Sequence, residues 1–385
     1  MVKDYYEPAE DSLLLLEQVK RYAKGKVLDM GTGSGILAIE AARNADSVVA
    51  VDINPIALRI AKRNALKHSI RNLSFRRSDL FSNVRGRFDL VIFNPPYLPQ
   101  DKEIEDSAIY GGKHGHETVE RFLCEAGSHL ADDGAILLLF SSLTGKKRVE
   151  ELIAANLFEQ RQLSTQHIFF EDLYVYLLKK SPLHKRLSVV KNLKPYASGK
   201  RGVVYTGRYR GRRVAIKIKN PISSAPARIE IEAHILAALN KRGIGPKLFE
   251  AEDDFIIMEY VDGMPILEYF EAGTKAQIRA VVRKILLQLY ALDELKINKE
   301  EMHHPVKHII VRRNNPVLID FERAKYSQKA HNVTQFCQFM TSRDVVGIIS
   351  KKKIIIDKKQ MMALAREYSR EMSRENLTKI LRLIQ

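Results

Sequence analysis

Residues 26–52 read KVLDMGTGSGILAIEAARNADSVVAVD. Lys26 to Met30 is a short apolar run of the kind found in buried parallel strands. It ends in Gly31-Thr32-Gly33-Ser34-Gly35, and Ile36 to Arg43 then reads as a helix. Ser47 to Asp52 is the next strand. A strand, a glycine-rich turn, a helix and a second strand are the start of a doubly wound, mostly parallel α/β sheet.

The alternation continues outward from that stretch. Asn54-Pro55 is a cap residue with proline at the first helical position, and the helix runs to about Lys67. Strands are expected at Leu73–Asp79, Phe88–Asn94 and Gly134–Ser142, with a helix from about Glu117. Ile168–Phe170 and Leu173–Lys180 are expected to close a seven-stranded Rossmann-like sheet as a hairpin.

Ligands of such sheets bind outside the carboxyl ends of the strands. Four chemically pointed segments fall at those ends. Gly31, Gly33 and Gly35 allow a tight turn and a close backbone approach. Asp52 can accept both hydroxyls of a ribose. Asp79 can accept from an exocyclic amine, with Leu80 packing on a purine face. Asn94-Pro95-Pro96-Tyr97 closes the fourth strand. A dinucleotide fingerprint would read G-x-G-x-x-G, whereas the spacing here is G-x-G-x-G.

The Asn-Pro-Pro-Tyr segment points to a reaction type. A planar nitrogen with a delocalised lone pair, as in an amide or an adenine amino group, is a poor nucleophile. A site that methylates it must hold its N–H groups and aim its lone pair at the methyl carbon. The Asn94 side-chain oxygen and the Pro95 carbonyl can accept those N–H groups. The prolines stiffen the turn, and the Tyr97 ring can cover the planar group.

With Tyr6-Glu7-Pro8-Ala9-Glu10-Asp11-Ser12, VLDMGTGSG (27–35), Asp52, Asp79 and NPPY (94–97), residues 1–180 resemble the HemK-type protein-glutamine N5-methyltransferases. The match is to their short eukaryotic and archaeal branch. The resemblance implies S-adenosylmethionine as methyl donor and the glutamine of the Gly-Gly-Gln motif of a class I release factor as acceptor. It implies that Ser12, Asp29 and Gly31 meet the methionine part of the donor, Asp52 the ribose, and Asp79 with Leu80 the adenine. Asn94, Pro95, Pro96 and Tyr97 would hold the amide. It also implies a small zinc-binding activator subunit as partner. Adenine-N6 methyltransferases of DNA and RNA share NPPY and form the alternative.

Charge divides the chain. Residues 1–180 hold 24 Lys+Arg and 25 Asp+Glu, a balance of −1. The whole chain of 385 residues holds 63 and 46, which leaves 39 and 21 for residues 181–385, a balance of +18. The near-neutral first half disfavours nucleic acid as its substrate, while the basic second half is the footprint expected for contact with RNA or the ribosome. Two cysteines, Cys124 and Cys337, exclude a disulfide framework or a cysteine-based zinc site built by this chain alone. No apolar run approaches the length of a membrane span, and the sequence opens without an apolar signal region. A cytoplasmic protein is the expectation.

Residues 181–196 read as a connector between a methyltransferase domain (1–180) and a second domain (197–385). That second domain carries, in order, Gly199 and Gly202 in a loop, VAIK ending in Lys217, a helix with Glu230 and Glu232, a strand ending near Glu259, and LIDF containing Asp320. These are the ordered parts of a protein-kinase-type ATP site, and residues 195–330 resemble the small RIO-like and KEOPS-associated kinases. The resemblance implies a reduced protein-kinase-like α+β domain. In it Lys217 would meet phosphates, Glu232 (with Glu230 the second choice) would orient Lys217, and backbone near Glu259 would meet adenine. Asp320 would hold magnesium with ATP. No Asp occurs from Glu294 through Ile319, and aligning His308 with the usual Asn puts His303 where a catalytic Asp belongs. His303, His304 and His308 could alternatively clamp zinc. An active kinase, a nucleotide-binding pseudokinase and a basic docking module are the three readings of this half. Residues 328–385 read as helical and basic.

Overall fold

Continuous burial along Val27–Met30 shows how the first sheet is covered. In this computed structural model, which describes residues 9–98, 111–199, 202–219 and 229–384, Val27 packs with one helical layer and Leu28 and Met30 with the other. Successive strand residues face opposite sides, so a strand apolar on both faces belongs in the middle of a two-sided sheet.

The chain divides into two compact units near residue 197. The first contains, in order, α1 (Glu10–Tyr22), β1 (Lys26–Met30), α2 (Ile36–Ala41), β2 (Ser47–Asp52), α3 (Pro55–Lys67), β3 (Leu73–Arg77), β4 (Phe88–Phe93), α4 (Glu117–His129), β5 (Leu130–Ser141), α5 (Lys146–Ala155), β6 (Phe158–Ile168) and β7 (Glu171–Lys180). Its seven strands lie in the order β3-β2-β1-β4-β5-β7-β6. β1 runs parallel to β2 and β4, and β7 is antiparallel to both β5 and β6. Leu15 and Val19 of α1 and Leu37 and Ala41 of α2 cover one face; Phe122 of α4 and Leu152 of α5 cover the other. Strand order reverses at β1, so the carboxyl ends of β1 and β4 open a crevice.

The hairpin differs from its expectation. β6 spans Phe158–Ile168, and Phe169 and Phe170 form the turn, 88% and 95% exposed. β6 is an edge strand with mostly exposed or half-exposed side chains, so its polar sequence lacks the apolar alternation by which strands are read.

The expected connector is folded. It forms α6 (Pro182–Arg186), with the Ser181 hydroxyl accepting from the His184 N–H, and the start of β8 (Lys191–Ser198). β8 edges a five-stranded sheet, β11-β12-β10-β9-β8, built with β9 (Gly202–Tyr209), β10 (Arg212–Lys219), β11 (Leu248–Ala251) and β12 (Phe255–Glu259). The helix α7 (Ile229–Asn240) lies between β10 and β11 in sequence and packs on this sheet.

A helical body follows. It comprises α8 (Ile266–Ala272), α9 (Lys275–Glu294), α10 (Asn332–Met340), α11 (Arg343–Ser350), α12 (Lys358–Arg370) and α13 (Arg374–Arg382), with short hairpin strands between α9 and α10. Thr274 and Gln277 form a capping box on α9, and the helix buries Ile278, Val282, Ile285 and Leu289. Asp293, 1% exposed, accepts from the N–H groups of Asn332 and Val333 and from the Tyr368 hydroxyl, which fixes α10 and α12 to the end of α9. The unit is thus a sheet followed by a helical body, an α+β arrangement. Among the described residues no helix is long and apolar enough to cross a membrane.

Candidate functional site

The first unit holds a cavity of about 500 Å³ at the carboxyl ends of β1, β2 and β4. Its wall includes Ser12, Gly31, Gly33, Asp52, Asp79, Leu80 and the whole of Asn94-Pro95-Pro96-Tyr97. Tyr6, Glu7 and Pro8 lie outside the described residues.

Local chemistry explains the shape. Gly31, Gly33 and Gly35 all have left-handed φ (+67°, +53° and +85°), which glycine adopts without strain. A Cβ on Gly31 would sit 4.0 Å from the Asn94 carbonyl oxygen, so the glycine turn and the Asn-Pro-Pro-Tyr turn abut. Asp52 accepts from the Gly33 and Asn54 N–H groups, each at 2.9 Å, and ties the turn after β1 to the end of β2. The Ser78 hydroxyl donates to the Leu80 carbonyl at 2.6 Å and shapes the turn that presents Asp79 and Leu80.

Asn94 carries the most specific feature. Its side-chain Nδ2 donates to Asp11 Oδ2 at 2.9 Å. Its Oδ1 is buried and makes no hydrogen bond. A buried acceptor without a donor is costly, on the order of 1–3 kcal/mol, and this one stands in a cavity wall. Asp11, 3% exposed, also accepts from the Ser12 N–H at 2.6 Å. The Thr144 hydroxyl donates to the Tyr97 carbonyl at 3.2 Å and holds the turn from behind. Burial, with the negative Asp11 and Glu171 nearby, pushes the Tyr97 phenol up, so it stays neutral.

Two expected contact residues are not in the wall. Asp29 is fully buried and its Oδ2 accepts from the Thr32 hydroxyl at 2.6 Å; it braces the turn from within. Gly35 caps α2, and a Cβ there would come within 2.9 Å of Ala61, so its glycine serves helix packing. Asp79 is held by Arg121 at 2.8 Å, a cavity residue with no sequence signal of its own. Asp11 lies in the opening motif, and its burial against Asn94 is visible only in three dimensions.

The first unit resembles known proteins in sequence. The Methyltransferase small domain family matches residues 8–170. A Methanocaldococcus jannaschii protein named as a protein N5-glutamine methyltransferase is 41% identical over 178 residues, which is 45% of this chain and 90% of that relative. The chain belongs to the protein N5-glutamine methyltransferase family. S-adenosylmethionine is the methyl donor that goes with it. A release factor glutamine methyltransferase of Deinococcus radiodurans is 37% identical over 136 residues, 32% of this chain. The chain spans about half the length of that relative, 49%. Among solved structures, the E. cuniculi Mtq2–Trm112 complex is matched at 29% identity with a TM-score of 0.39, over 46% of this chain and 100% of that one.

All of these matches leave the second unit of the methyltransferase untouched, yet that unit gathers charge around Lys217. Lys217, on β10 and 7% exposed, lies 2.8 Å from Glu232 of α7, 2.9 Å from Asp320 and 3.0 Å from Glu322. Glu232 also accepts from the Phe321 N–H at 3.1 Å, whereas Glu230 is exposed. Burial works against charge on Lys217, but Glu232 and Asp320 outweigh it and hold the ammonium form. Burial would likewise raise Asp320; the Lys217 ammonium instead brings it down to about 2. Gly202 lies against Lys217, and the Gly199 N–H donates to the Gly202 carbonyl at 2.9 Å. Lys200 and Arg201 fall outside the described residues. The Glu259 side chain is engaged by Arg312 at 2.5 Å and its N–H by the Lys247 carbonyl.

The three histidines do not converge. His303 and His304 are exposed, while His308 turns inward to Glu301 at 3.0 Å. Among the described residues no group of three or more His, Cys, Asp or Glu is arranged to hold a metal ion. Other charged residues cluster near His308. Lys299, 1% exposed, donates to the Asp320 carbonyl and lies over the Phe321 ring. Two residues later Glu301 faces His308 and is held by Arg323 at 2.5 Å. Glu301 has a left-handed φ of +78°.

Proposed function

We propose that the first unit methylates the side-chain amide of a glutamine in a protein of translation, with a class I release factor as the substrate. The observation that carries this reading is the buried, unpartnered Oδ1 of Asn94, a residue whose backbone carbonyl abuts the glycine turn. An unpaired acceptor on a cavity-lining residue suits an incoming N–H, and an amide NH₂ supplies one while keeping its second face toward the donor. The relatives include glutamine methyltransferases named for release factors and for ribosomal protein uL3.

The cavity residues fit S-adenosylmethionine. Its volume lies in the range of small-molecule sites. Ser12, Gly31 and Gly33 would border the methionine part, Asp52 would accept from the ribose hydroxyls, and Asp79 with Leu80 would take the adenine, which requires Asp79 to share or leave Arg121. The donor supplies a methyl group on a positively charged sulfur. Asn94 and the Pro95 carbonyl hold the amide N–H groups, the prolines keep the turn from yielding, and Tyr97 covers the amide plane. Positioning of this kind is a large catalytic term. A small zinc-binding activator subunit is the expected partner, and β3 and β6 are the two edge strands it could cover.

The test is mass spectrometry of a recombinant class I release factor and of an RNA and a DNA after incubation with labelled donor. Label on glutamine supports the reading. Label on adenine replaces it with nucleic-acid methylation. Asp52→Ala should weaken donor affinity, read by calorimetry, by about tenfold.

The second unit is read as a nucleotide site. Lys217, clamped between Glu232 and Asp320, is placed to meet the phosphates of ATP, with a divalent cation on Asp320. Its charge also suits contact with RNA. A thermal shift of the full chain with MgATP, lost in Lys217→Met, tests the nucleotide reading; no shift in the wild type ends it.

A further inference from the structure

We propose that Phe169 and Phe170, at the tip of the β6–β7 hairpin, are the anchor by which the first unit seats the protein that carries its acceptor glutamine. The inference rests on the glutamine-methylation reading and adds to it the surface that holds the acceptor outside the cavity.

Three observations meet at this tip. The first is exposure: both rings stand almost wholly in solvent, beside a strand whose exposed positions are all polar. The second is turn chemistry. Ile168 pairs directly with Glu171, so the hairpin turns on two residues, and Phe169 takes a left-handed φ of +41°. Two-residue turns with that backbone favour glycine at the first position, and a bulky ring there is an outlier. Two exposed rings held at the expense of turn geometry point to a function. The third is position. β7 pairs with β5 in the register Ser141↔Leu173, so the tip projects from the end of the sheet that carries the cavity. Glu171, next to Phe170, accepts from the Ser141 hydroxyl. The Ser141 N–H donates to the Thr144 hydroxyl at 3.3 Å, and that hydroxyl reaches the Tyr97 carbonyl of the cavity wall. The Ser142 hydroxyl accepts from the Asp172 N–H at 3.0 Å and holds the returning strand. A continuous set of contacts therefore ties the tip to the Asn-Pro-Pro-Tyr turn, and Leu143 within it adds a third exposed apolar side chain.

The chemistry of the tip selects its occupant. Glu171 and Asp172 follow the rings in sequence, and their carboxylates repel nucleic-acid phosphate and anionic lipid alike. An apolar depression on a protein suits the rings instead. Each ring can bury about 150–250 Å², a large share of the ~800 Å² that one partner gives to a standard protein interface. A glutamine side chain offers the cavity one amide to grip. A protein that also covers the tip is held at two points while its glutamine reaches Asn94. The rings touch no reacting atom: they set which protein is bound and leave the transfer step to the cavity.

The experiment uses the full chain, labelled donor and two acceptors: a recombinant class I release factor, and a short peptide copied from around its acceptor glutamine. Phe169→Gly combined with Phe170→Ser installs residues that such a turn favours, so the unfolding midpoint should stay at or above that of wild type. In this double variant KM for the release factor should rise about 30-fold, or roughly 2 kcal/mol, the threshold of an interfacial hot spot. Its kcat, its donor affinity and its KM for the peptide should stay close to wild type. Phe169→Leu combined with Phe170→Leu keeps the surface apolar and should recover most of the loss. A wild-type KM for the release factor in the Gly/Ser variant overturns the proposal. So does an equal rise in KM for protein and peptide, which places the effect in the cavity. So does a wild-type dimer that the variant takes apart at unchanged KM, which gives the surface to a second copy of the chain. A wild type that methylates neither acceptor fails at the earlier step and removes the glutamine reading together with this one.

Discussion

The wall at Asn94 and the cluster at Lys217 handle polar groups in opposite ways. At Asn94 the group left open is neutral, a single amide oxygen, with one carboxylate, Asp11, standing behind it. At Lys217 three carboxylates surround one ammonium within 3.0 Å. A neutral acceptor in a cavity wall can be removed with Asp11, which loses the Asn94 donor, still holding the Ser12 N–H. A buried ion pair such as Lys217–Glu232 cannot, because each member is tolerated only through the other. Chemistry and folding should therefore separate at the first site and stay entangled at the second.

The largest expected effect tests the entangled side. Glu232, 1% exposed, is the most buried partner of Lys217. Glu232→Ala should destabilise the second unit by about 3–5 kcal/mol, the usual cost of breaking a buried ion pair. Urea unfolding of the full chain, with hydrogen exchange of the β10 amides, would measure it. A loss below about 1 kcal/mol would mean that the pair behaves as a surface pair.

Asn94→Ala tests the separable side and ranks next. Methyl transfer should fall by about 10²–10³, or roughly 3–4 kcal/mol of barrier, while donor affinity measured by calorimetry changes little. The unfolding midpoint should move less than in Glu232→Ala. Turnover at the wild-type rate would contradict the amide-clamp role.

Much of this was readable from the sequence. The run from Lys26 to Asp52 fixes β1, the glycine turn, α2 and β2, because strand length, glycine spacing and apolar pattern agree. The Lys217–Glu232–Asp320 order likewise places three distant residues together. The failures have physical causes. β6 is a polar edge strand, so periodicity passes over it. Asp29 precedes the glycines and looks chemical, but β1 turns its side chain inward to Thr32. Asp11 sits within a motif, yet its partner is 83 residues away.

Asp29 offers a subtler contrast, since it is a buried carboxyl without an ammonium. Burial pushes its pKa up to about 7, partly offset by the Thr32 hydroxyl, and the nearby Asp52 adds to the rise. In the unfolded chain it would titrate near ~3.9. Between those values the folded protein holds a proton that the unfolded chain has lost, so this group's contribution to stability falls as pH rises. Asp29→Asn keeps the shape and cannot ionise. The stability of wild type relative to Asp29→Asn should drop by about 2 kcal/mol from pH 5 to pH 7. A constant difference across that range would show Asp29 ionised throughout.

The smallest effect sharpens the first site most. Asp11 acts through Asn94 and is a positioning residue. A carboxylate accepts and cannot donate, so it admits only the orientation in which Asn94 Nδ2 faces Asp11 and Oδ1 is left unpaired. Asp11→Asn keeps the size and the acceptor but adds a donor. The Asn94 amide can then turn over and bond through its oxygen, which presents NH₂ to the incoming amide and blocks it. Turnover should fall by about tenfold, or roughly 1.4 kcal/mol, with donor affinity and unfolding midpoint near wild type. A mere packing role would move the midpoint first and leave turnover per folded molecule unchanged.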